Sequence, residues 1–593
     1  MRLLILLSAA MLMMACQTTS APESVRSSIS ADQKFTELAD EAWQFNQRQG
    51  GLLAPDARSA GADARLADIS PEALAQAHTQ RVEYYQAITA IASEQLSEAN
   101  QINRDMILYA LRNQISRYQF NMHLMPLTNE TGPHNSIARL GDMMRIESVQ
   151  DGEAYLALLR DVPTWLGQQT DYMRQGLATG MAQPQVVLSR FAEGVQAYVT
   201  MDPTESVFYR PMQRARQHLS SEELAHFEVE LQTVIATVVN SAFMDFYDFL
   251  TDEYIPNART DIAAHQLPNG EAFYTNRVKH YTTLDLSPEE IHQIGLEQVA
   301  LIRAEMETII EEVGFEGSFA EFIHFLRTDP QFYTDSPEQL LKEAAWIAKQ
   351  ADAALPSLFY RMPRTPYGVA PVPAEIAPNY TQGRYVSPRG DDQPGYYWVN
   401  TYAVETRPLY ELEALTLHEG VPGHHFQIAL AMEMENVPAY RQSTYISAFG
   451  EGWGLYAEYL GLEAGFYEDP YSNFGRLTYA MWRAARLVVD TGMHALGWSR
   501  DEAVEFLGSN TALSLHNVNT EIDRYISWPG QALSYKLGLL TIQELRAEAE
   551  AAHGTHFDLR EFHDEVLRNG SVPLATLEQQ VRAYISRKAE EIR

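Results

Sequence analysis

Three histidines and a glutamate lie within eight residues of the chain, in the stretch HEGVPGHH at residues 418–425. A His-Glu pair followed closely by another histidine is how zinc hydrolases hold two imidazole ligands and a carboxylate beside the metal-bound water. The usual form is H-E-x-x-H, but the fourth residue after His418 is Pro422, which cannot bind a metal. The stretch therefore indicates a metal site in which the second imidazole is reached in another way.

A regular helix would keep these histidines apart. On such a helix His424 would point about 120° away from His418, and His425 would lie about 10 Å further along the axis. Two nitrogens on one zinc ion must lie only about 3.3 Å apart. The intervening glycines and proline break or bulge helices, so we predict that two looped-out residues bring His424 to the second ligand position. The alternative is a helix that ends at Gly420, a turn, and a second helix with solvated histidines.

We prefer His424 to His425 as the second ligand because the ligand at His424 requires two looped-out residues rather than three, which disturbs fewer helical hydrogen bonds. His425 would then lie next to the site, facing substrate or an acidic partner. The third predicted ligand is Glu451, in the segment FGEGWGLYAE. Glu458 lies seven residues later on the same helical face, and we expect it to contact a ligand or to be structural. Glu419, adjacent to the first histidine, is the natural general base.

Four segments occur in an order that resembles a known family: HEGVPGHH, FGEGWGLYAE, WRAARLVVDTGMHALGWS and RYISWPGQALSYKLG. From Leu267 to the C-terminus the chain is similar to the bacterial domain-of-unknown-function 885 family of lipoproteins. More distantly it resembles the gluzincin zinc peptidases, namely carboxypeptidase Taq, thimet oligopeptidase and angiotensin-converting enzyme. Dipeptidyl peptidase III is a precedent for a lengthened histidine motif.

The resemblance to gluzincins implies a two-lobed helical fold around a deep cleft and short, unfolded peptides as substrates. It also implies that Tyr535 stabilises the oxyanion of the reaction, with Tyr525 as the other candidate. The segment Tyr396–Thr401 has strong strand propensity, and in gluzincins an edge strand at this place binds an extended peptide. On that basis Tyr397 and Asn400 are candidate substrate-binding residues; the alternative is a purely structural hairpin.

Arg483, Arg486, Asp490 and His494 recur at three- and four-residue spacing, so they share one helix face. An arginine there could bind the terminal carboxylate of a peptide, because a guanidinium binds a carboxylate with two hydrogen bonds. Asp490 and His494 could instead support a metal-bound imidazole. The alternative is an internal stripe of salt bridges.

The whole chain has 593 residues, of which 46% are hydrophobic, so we expect a globular protein with more than one lobe. The periodicity is mainly helical. Capping boxes at Ser220 and Ser287 predict two helix starts, and we place the lobe boundary near residue 265. The N-terminal lobe is then 31–265, and the catalytic lobe 266–593. The net charge of -34 makes nucleic acid an improbable partner.

Residues 1–15 are typical of a signal peptide, because a short apolar run ends on a small residue before Cys16. Cys16 is the only cysteine, so a disulfide within the chain is impossible. Its place after the apolar run resembles a bacterial lipobox, and Gln17 resembles the outer-membrane sorting signal. We therefore predict a lipid-anchored protein of the bacterial cell envelope, with residues 16–30 as a tether. The alternative is a plain secretory peptide with an incidental cysteine.

Together these features predict a zinc-dependent metallopeptidase. Two alternatives stay open: a zinc- or peptide-binding lipoprotein without catalysis, and a zinc hydrolase of non-peptide amides. Glu419 disfavours the pure binding protein, because a structural zinc site does not need an unligated carboxylate beside an open position.

Overall fold

The computed structural model describes residues 30–189, 191–374, 376–388 and 393–593. The predicted signal peptide and Cys16 lie outside these residues, and so does the predicted tether apart from Ser30. The described chain is mainly helical with one small sheet, which confirms the predicted fold class. None of the described helices combines the length and the apolar character needed to cross a membrane.

The first half of the described chain is entirely helical apart from its connections. Both predicted capping boxes are present, so Ser220 begins the helix at Ser221 and Ser287 begins the helix at Pro288. Two π-helical segments, at Ile235–Val239 and Leu250–Tyr254, join α9, α10 and α11. The α-helices are α1 Ala31–Gly50, α2 Pro71–Thr89, α3 Glu98–Gln119, α4 Pro133–Ala138, α5 Leu140–Met143, α6 Val149–Thr179, α7 Phe191–Gln196, α8 Met212–His218, α9 Ser221–Val234, α10 Asn240–Phe249 and α11 Ile255–Asn257.

The second half continues with helices that surround the histidine motif. They are α12 Gly270–Thr282, α13 Pro288–Glu312, α14 Phe319–Thr328, α15 Pro337–Leu358, α16 Leu412–Glu419, α17 His424–Met432, α18 Ala439–Ser443, α19 Ser447–Leu460, α20 Pro470–His494, α21 Arg500–Asn510, α22 Leu515–Ser527, α23 Ser534–His553, α24 Leu559–Leu567 and α25 Leu574–Ile592. Helix α20 packs along α13, and α19 packs along α23.

A three-stranded sheet precedes the histidine motif, as predicted. Its strands are β1 Tyr367–Pro371, β2 Gly383–Val386 and β3 Gly395–Val399, in the order β1-β3-β2. Strand β3 pairs in parallel with β1 and antiparallel with β2. The strand expected at an edge is β3, and that expectation is wrong because β3 lies in the centre of the sheet. Strand β2 is an edge strand instead.

Helices α19 and α23 cross at a point where two glycines touch. A Cβ atom on Gly452 would lie 2.5 Å from the backbone of Gly538, and one on Gly538 would lie 2.0 Å from the carbonyl oxygen of Ala448. Any side chain at either position would therefore separate the helices. The largest hydrophobic cluster contains residues from both sides of position 265. The lobe boundary and the deep cleft stay predictions.

Candidate metal centre

The chain leaves helix α16 after Glu419 and enters helix α17 at His424. Residues 420–423 form a turn, and the backbone N–H of His425 donates to the carbonyl of Gly420 at 3.1 Å. The prediction of two residues looped out of one continuous helix is wrong, because the helix breaks. The alternative is right in its helix end, turn and second helix, but its solvated histidines are wrong, since all three histidines of the motif are buried.

The conformation of the turn depends on Gly423 and on a hydrogen bond from Trp453. A Cβ atom on Gly423 would lie 2.0 Å from the carbonyl oxygen of His418, so only glycine fits there. The indole N–H of Trp453 donates to the carbonyl of Pro422 at 2.8 Å. Because Trp453 follows Glu451 by two residues on α19, the turn is fixed against the helix that carries the predicted third ligand.

The side chains of His418, His424 and Glu451 converge across three helices. Each offers one ligand atom, and the three atoms lie within 4.8 Å of one another. The Oε2 atom of Glu451 is 3.7 Å from Nε2 of His418 and 3.4 Å from Nε2 of His424. Two imidazole nitrogens and one carboxylate oxygen are the ligands of many catalytic zinc sites, which keep a fourth position open. This group could therefore hold a metal ion, and zinc suits its donor atoms.

Hydrogen bonds orient two of these side chains. Nδ1 of His418 lies 2.7 Å from Oε1 of Glu458. Because a carboxylate accepts, Nδ1 carries a proton, and Nε2 is the ring nitrogen that a metal ion would bind. The hydroxyl of Tyr445 donates to Oε1 of Glu451 at 3.1 Å, which leaves Oε2 facing the histidines.

The charges of the group are strongly coupled. Burial alone would lower the pKa of His418, but hydrogen bonds to the carboxylates of Glu451 and Glu458 raise it to about 10. Burial would likewise raise the pKa of Glu451, yet His424 and His418 hold it well below its ordinary value. Desolvation of the hydroxyl and the nearby charge of Glu451 raise the pKa of Tyr445 well above the ordinary value, so its hydroxyl stays a neutral donor. The carboxylates of Glu451 and Glu458 make the site between the histidines favourable for a cation.

Glu419 lies beside the group of three rather than in it. Its Oε2 atom accepts a hydrogen bond of 2.7 Å from the backbone N–H of Tyr385, on edge strand β2. Glu419 lines the same cavity as His418, His424 and Glu451. Its Oε1 atom takes no part in the bond to the strand, so this carboxylate can accept a proton at the cavity.

His425 faces neither the cavity nor an acidic partner. Its Nδ1 atom is 3.0 Å from the hydroxyl of Tyr385, and its Nε2 atom is 3.0 Å from the carbonyl of Thr365. Burial lowers the pKa of His425 to about 4, so the ring is neutral. His425 therefore joins helix α17 to the sheet, and the expectation that it faces substrate or an acid is wrong.

A cavity of about 290 Å³ contains the predicted ligands, Glu419 and several residues of α20. Tyr535, Arg483 and Arg486 line it. The ring centre of Tyr535 lies 4.3 Å from Cζ of Arg486. Tyr525 is almost fully buried behind this layer, and its hydroxyl accepts from Nε of Arg486 at 2.7 Å. Tyr535 thus reaches the cavity, while Tyr525 positions an arginine.

Asp490 and His494, the other two residues of the predicted helix-face stripe, stabilise the packing of α20 against its neighbours. Asp490 accepts from the hydroxyl of Tyr274 at 2.6 Å and from the backbone N–H of Gly530 at 3.2 Å. Burial raises the pKa of Asp490 to about 7. Nε2 of His494 lies 2.9 Å from the carbonyl of Tyr525. Their hydrogen-bond partners thus lie outside the metal group, which contradicts the expectation that they support a metal-bound imidazole.

Tyr397 and Asn400 are buried away from the cavity. Tyr397 is in central strand β3, and its hydroxyl lies 3.5 Å from Oγ1 of Thr416. The side-chain amide of Asn400 donates to the carbonyls of Ala377 and Tyr380 at 2.9 and 3.0 Å. Their contacts hold the sheet and the loop before β2, so a direct contact with substrate, as predicted, is not supported. Cys16 lies outside the described residues.

Among the cavity residues that were not predicted from the sequence are Tyr385, Tyr445, Arg384 and Arg524. Tyr445 lies six residues before Glu451 in a short connection between helices, where spacing carries no signal. Arg524 lies in the segment RYISWPGQALSYKLG, directly before the candidate Tyr525, so its position in the sequence was a usable signal.

The sequence matches a family described as "Bacterial protein of unknown function (DUF885)" over residues 53–581, so the chain belongs to that family. A solved structure described as "the putative lipoprotein from Colwellia psychrerythraea" is 29% identical, with a TM-score of 0.86 over 95% of this chain and 100% of that one. Another, described as "a putative lipoprotein of unknown function from Shewanella oneidensis", is 15% identical, with a TM-score of 0.70 over 93% and 99%. The second likeness shows the fold alone. No curated protein matches the sequence.

Proposed function

We propose that this member of the DUF885 family is a zinc-dependent hydrolase, a peptidase that cleaves short, unfolded peptides. The observation that carries the proposal is the convergence of His418, His424 and Glu451 to within 4.8 Å in one cavity, with Glu419 beside them. A site that only stores or senses a metal would not need this extra carboxylate next to an open position.

The zinc ion, Glu419 and Tyr535 have different roles in the proposed reaction. A bound zinc ion would supply Lewis acidity and lower the pKa of a water molecule to about 7. Glu419, held at Oε2 by the backbone of Tyr385, accepts the proton of the attacking water and returns it to the leaving amine. Tyr535 lines the cavity and donates a hydrogen bond to the developing oxyanion.

The size of the site supports short substrates. The cavity measures about 290 Å³, at the lower end of the roughly 300–1,000 Å³ of ordinary ligand pockets. A peptide of a few residues fits such a volume, whereas a folded protein surface does not. Edge strand β2, whose Tyr385 binds Glu419, is the place where a peptide backbone could pair with the sheet.

The proposal includes a place in the cell. The mature chain would begin at a lipid-modified Cys16 and stay on the periplasmic side of the bacterial outer membrane. The lipobox-like N-terminus and the description of the Colwellia structure as a putative lipoprotein support this. The lipid would be its only contact with the membrane.

The decisive experiment combines metal analysis with a peptide screen. The purified protein is expected to hold about one zinc ion per chain and to cleave members of a mixed peptide library, and a chelator should abolish cleavage. Glu419→Gln should keep the metal and lower the rate by roughly 10²–10⁴-fold, because only the base is lost. Glu435→Gln changes an exposed glutamate beyond α17 and is the matched control.

Two results would contradict the proposal in different ways. Full activity of Glu419→Gln would refute the assigned base, and cleavage that survives complete removal of metal would refute the zinc mechanism. Metal binding without any peptide cleavage would favour the binding protein, and a second screen of non-peptide amides would then separate it from the other hydrolase. Efficient digestion of a folded protein would refute the size limit.

A further inference from the structure

Four arginines line the cavity that also contains the predicted metal ligands. They are Arg384 on β2, Arg483 and Arg486 on α20, and Arg524 on α22, and are called the arginine group here. The chain carries a net charge of -34, with 44 lysines and arginines against 78 acids. An accumulation of arginines at one cavity of so acidic a protein is thus not a consequence of composition.

The nearby acids do not neutralise the arginine group. Outside the metal centre, the acids that line the cavity are Glu130 and Glu521. A bound zinc ion would balance Glu419 and Glu451, the other two acids of the lining. Four positive charges would then face three negative ones, even when Glu458 is counted, whose carboxylate lies 3.4 Å from Arg483. Burial alone would raise the pKa of Glu521, but the charges of Arg524 and Arg486 hold it below its ordinary value, so it stays ionised. The excess positive charge remains for a ligand.

Both buried arginines have nitrogen atoms without a partner. Arg486 is 2% exposed; its Nε donates to the hydroxyl of Tyr525 and its Nη2 lies 3.0 Å from Glu521. Nη1 of Arg486 and Nε of Arg483 are buried and make no hydrogen bond within the described part of the chain. A buried donor without an acceptor is costly, and both residues line the cavity, so they carry hydrogen-bonding capacity that the described protein leaves unused.

Aromatic rings hold the two guanidinium groups in place. Cζ of Arg486 is 4.3 Å from the ring centres of both Trp482 and Tyr535. Cζ of Arg483 is 4.4 and 4.5 Å from the rings of Tyr479 and Trp482. Stacking between rings fixes the plane of a guanidinium, and a fixed plane suits a planar acceptor such as a carboxylate.

We propose that the arginine group binds the free C-terminal carboxylate of the substrate, so that the chain removes residues from the C-terminus of short peptides. The inference rests on the proposed function, since the metal centre in the same cavity determines which bond is cut. The small cavity volume of about 290 Å³ leaves room for only a short segment between the carboxylate and the scissile bond. Internal bonds of long chains and peptides with an amidated C-terminus would be poor substrates.

The test compares binding without turnover. Zinc-loaded Glu419→Gln is titrated calorimetrically with N-acetylated tripeptides of mixed sequence, as free acids and as matched C-terminal amides. The free acids are expected to bind roughly 10- to 100-fold more tightly, as hydrogen bonds to a charged group contribute. Equal binding of acid and amide, or no binding of either at millimolar concentration, would overturn the inference.

Substitutions identify the residues that cause the preference for the free acid over the amide. Arg486→Gln should reduce the preference for acid over amide by roughly 10- to 100-fold and leave the affinity for the amide unchanged; Arg483→Gln should reduce it too. Arg441→Gln is the matched control, because Arg441 is also buried, makes hydrogen bonds to Asn103 and Asn569, and has an unpartnered Nε outside the cavity. An unchanged preference in folded Arg486→Gln and Arg483→Gln would overturn the assignment, and so would its loss in Arg441→Gln. If the cavity variants do not fold, the acid and amide comparison in the parent protein decides.

This design separates the two proposals. A protein that cleaves nothing can still prefer the free acid in the titration; the carboxylate site then stands, while the proposed catalysis fails. A protein that cuts amidated peptides at internal bonds remains a zinc peptidase, and then only the present inference fails. Product analysis of the wild-type protein should show single C-terminal residues released one after another.

Discussion

At the level of single residues, His424 and His425 are neighbours with opposite tasks. Nε2 of His424 lies 3.4 Å from Glu451, whereas both ring nitrogens of His425 are hydrogen-bonded to Tyr385 and Thr365. The turn before α17 directs the two imidazole rings into different surroundings, although the two side chains are chemically identical.

We expect His424→Ala to lose stoichiometric zinc binding and His425→Ala to keep it. The second variant should instead lower the free energy of unfolding by about 1–3 kcal/mol, because it leaves the hydroxyl of Tyr385 and the carbonyl of Thr365 unpaired. Zinc titration and denaturant unfolding of both variants, side by side, measure these effects. The opposite pattern, with zinc lost only in His425→Ala, would move the ligand by one residue.

The candidate site was only partly predictable from the sequence. His418, Glu419 and Glu451 follow from motif chemistry, and His424 followed from counting looped-out residues, although the counted bulge does not exist. Tyr445 and the backbone of Tyr385 could not be found in this way, because their roles depend on contacts between elements that are remote in sequence. Asp490 and His494 shared a helix face with Arg483 and Arg486, but a helix of this length passes through more than one environment.

At the level of elements, the break between α16 and α17 creates the site. Helix α16 delivers His418 and Glu419 from its last turn, and α17 delivers His424 from its first residue. Gly423 permits this arrangement, since a Cβ atom there would lie 2.0 Å from the carbonyl oxygen of His418.

We expect Gly423→Ala to reduce the free energy of unfolding by about 1–3 kcal/mol and to weaken zinc binding, because relief of the clash must move His418. Gly167→Ala is the matched control: Gly167 lies inside α6 with open space around its Cα. There alanine should stabilise the protein by about 0.5–1 kcal/mol without a change in zinc affinity. Denaturant unfolding and zinc titration test both, and unaltered zinc binding in Gly423→Ala would show that the turn does not determine the site.

The helices were more predictable than the sheet. Capping boxes at Ser220 and Ser287 are local signals, and both helices begin where the sequence indicated. Strand propensity identified β3 but not its neighbours, because the order of strands depends on pairing with β1 and β2, which are separated from it by irregular segments.

At the level of the whole molecule, the N-terminus would determine where the protein works. Cys16 and the residues before it lie outside the described chain, so its lipidation is a prediction from the sequence and from the family. A single lipid-modified cysteine would concentrate the protein at a membrane surface without inserting any helix.

We expect Cys16→Ser to release the protein from the membrane fraction, because the described helices contain no segment that could span a bilayer. Fractionation of cells that express either form measures this, with mass spectrometry of the mature N-terminus to detect the lipid. Retention of Cys16→Ser in membranes would exclude the anchor, and a mature N-terminus other than Cys16 would indicate a plain secretory signal.

The glycine contact between α19 and α23 bears on how much change the protein can tolerate. Gly452 follows the candidate ligand Glu451 directly, and Gly538 follows Tyr535 by three residues. Where side chains meet, a new rotamer can alter the spacing of two helices, but where backbones touch there is no adjustable part. The separation of Glu451 and Tyr535 thus depends on the direct backbone contact between α19 and α23 rather than on the surrounding apolar packing. Substitutions in the apolar core around α19 and α23 are therefore expected to leave the distance between these two residues unchanged.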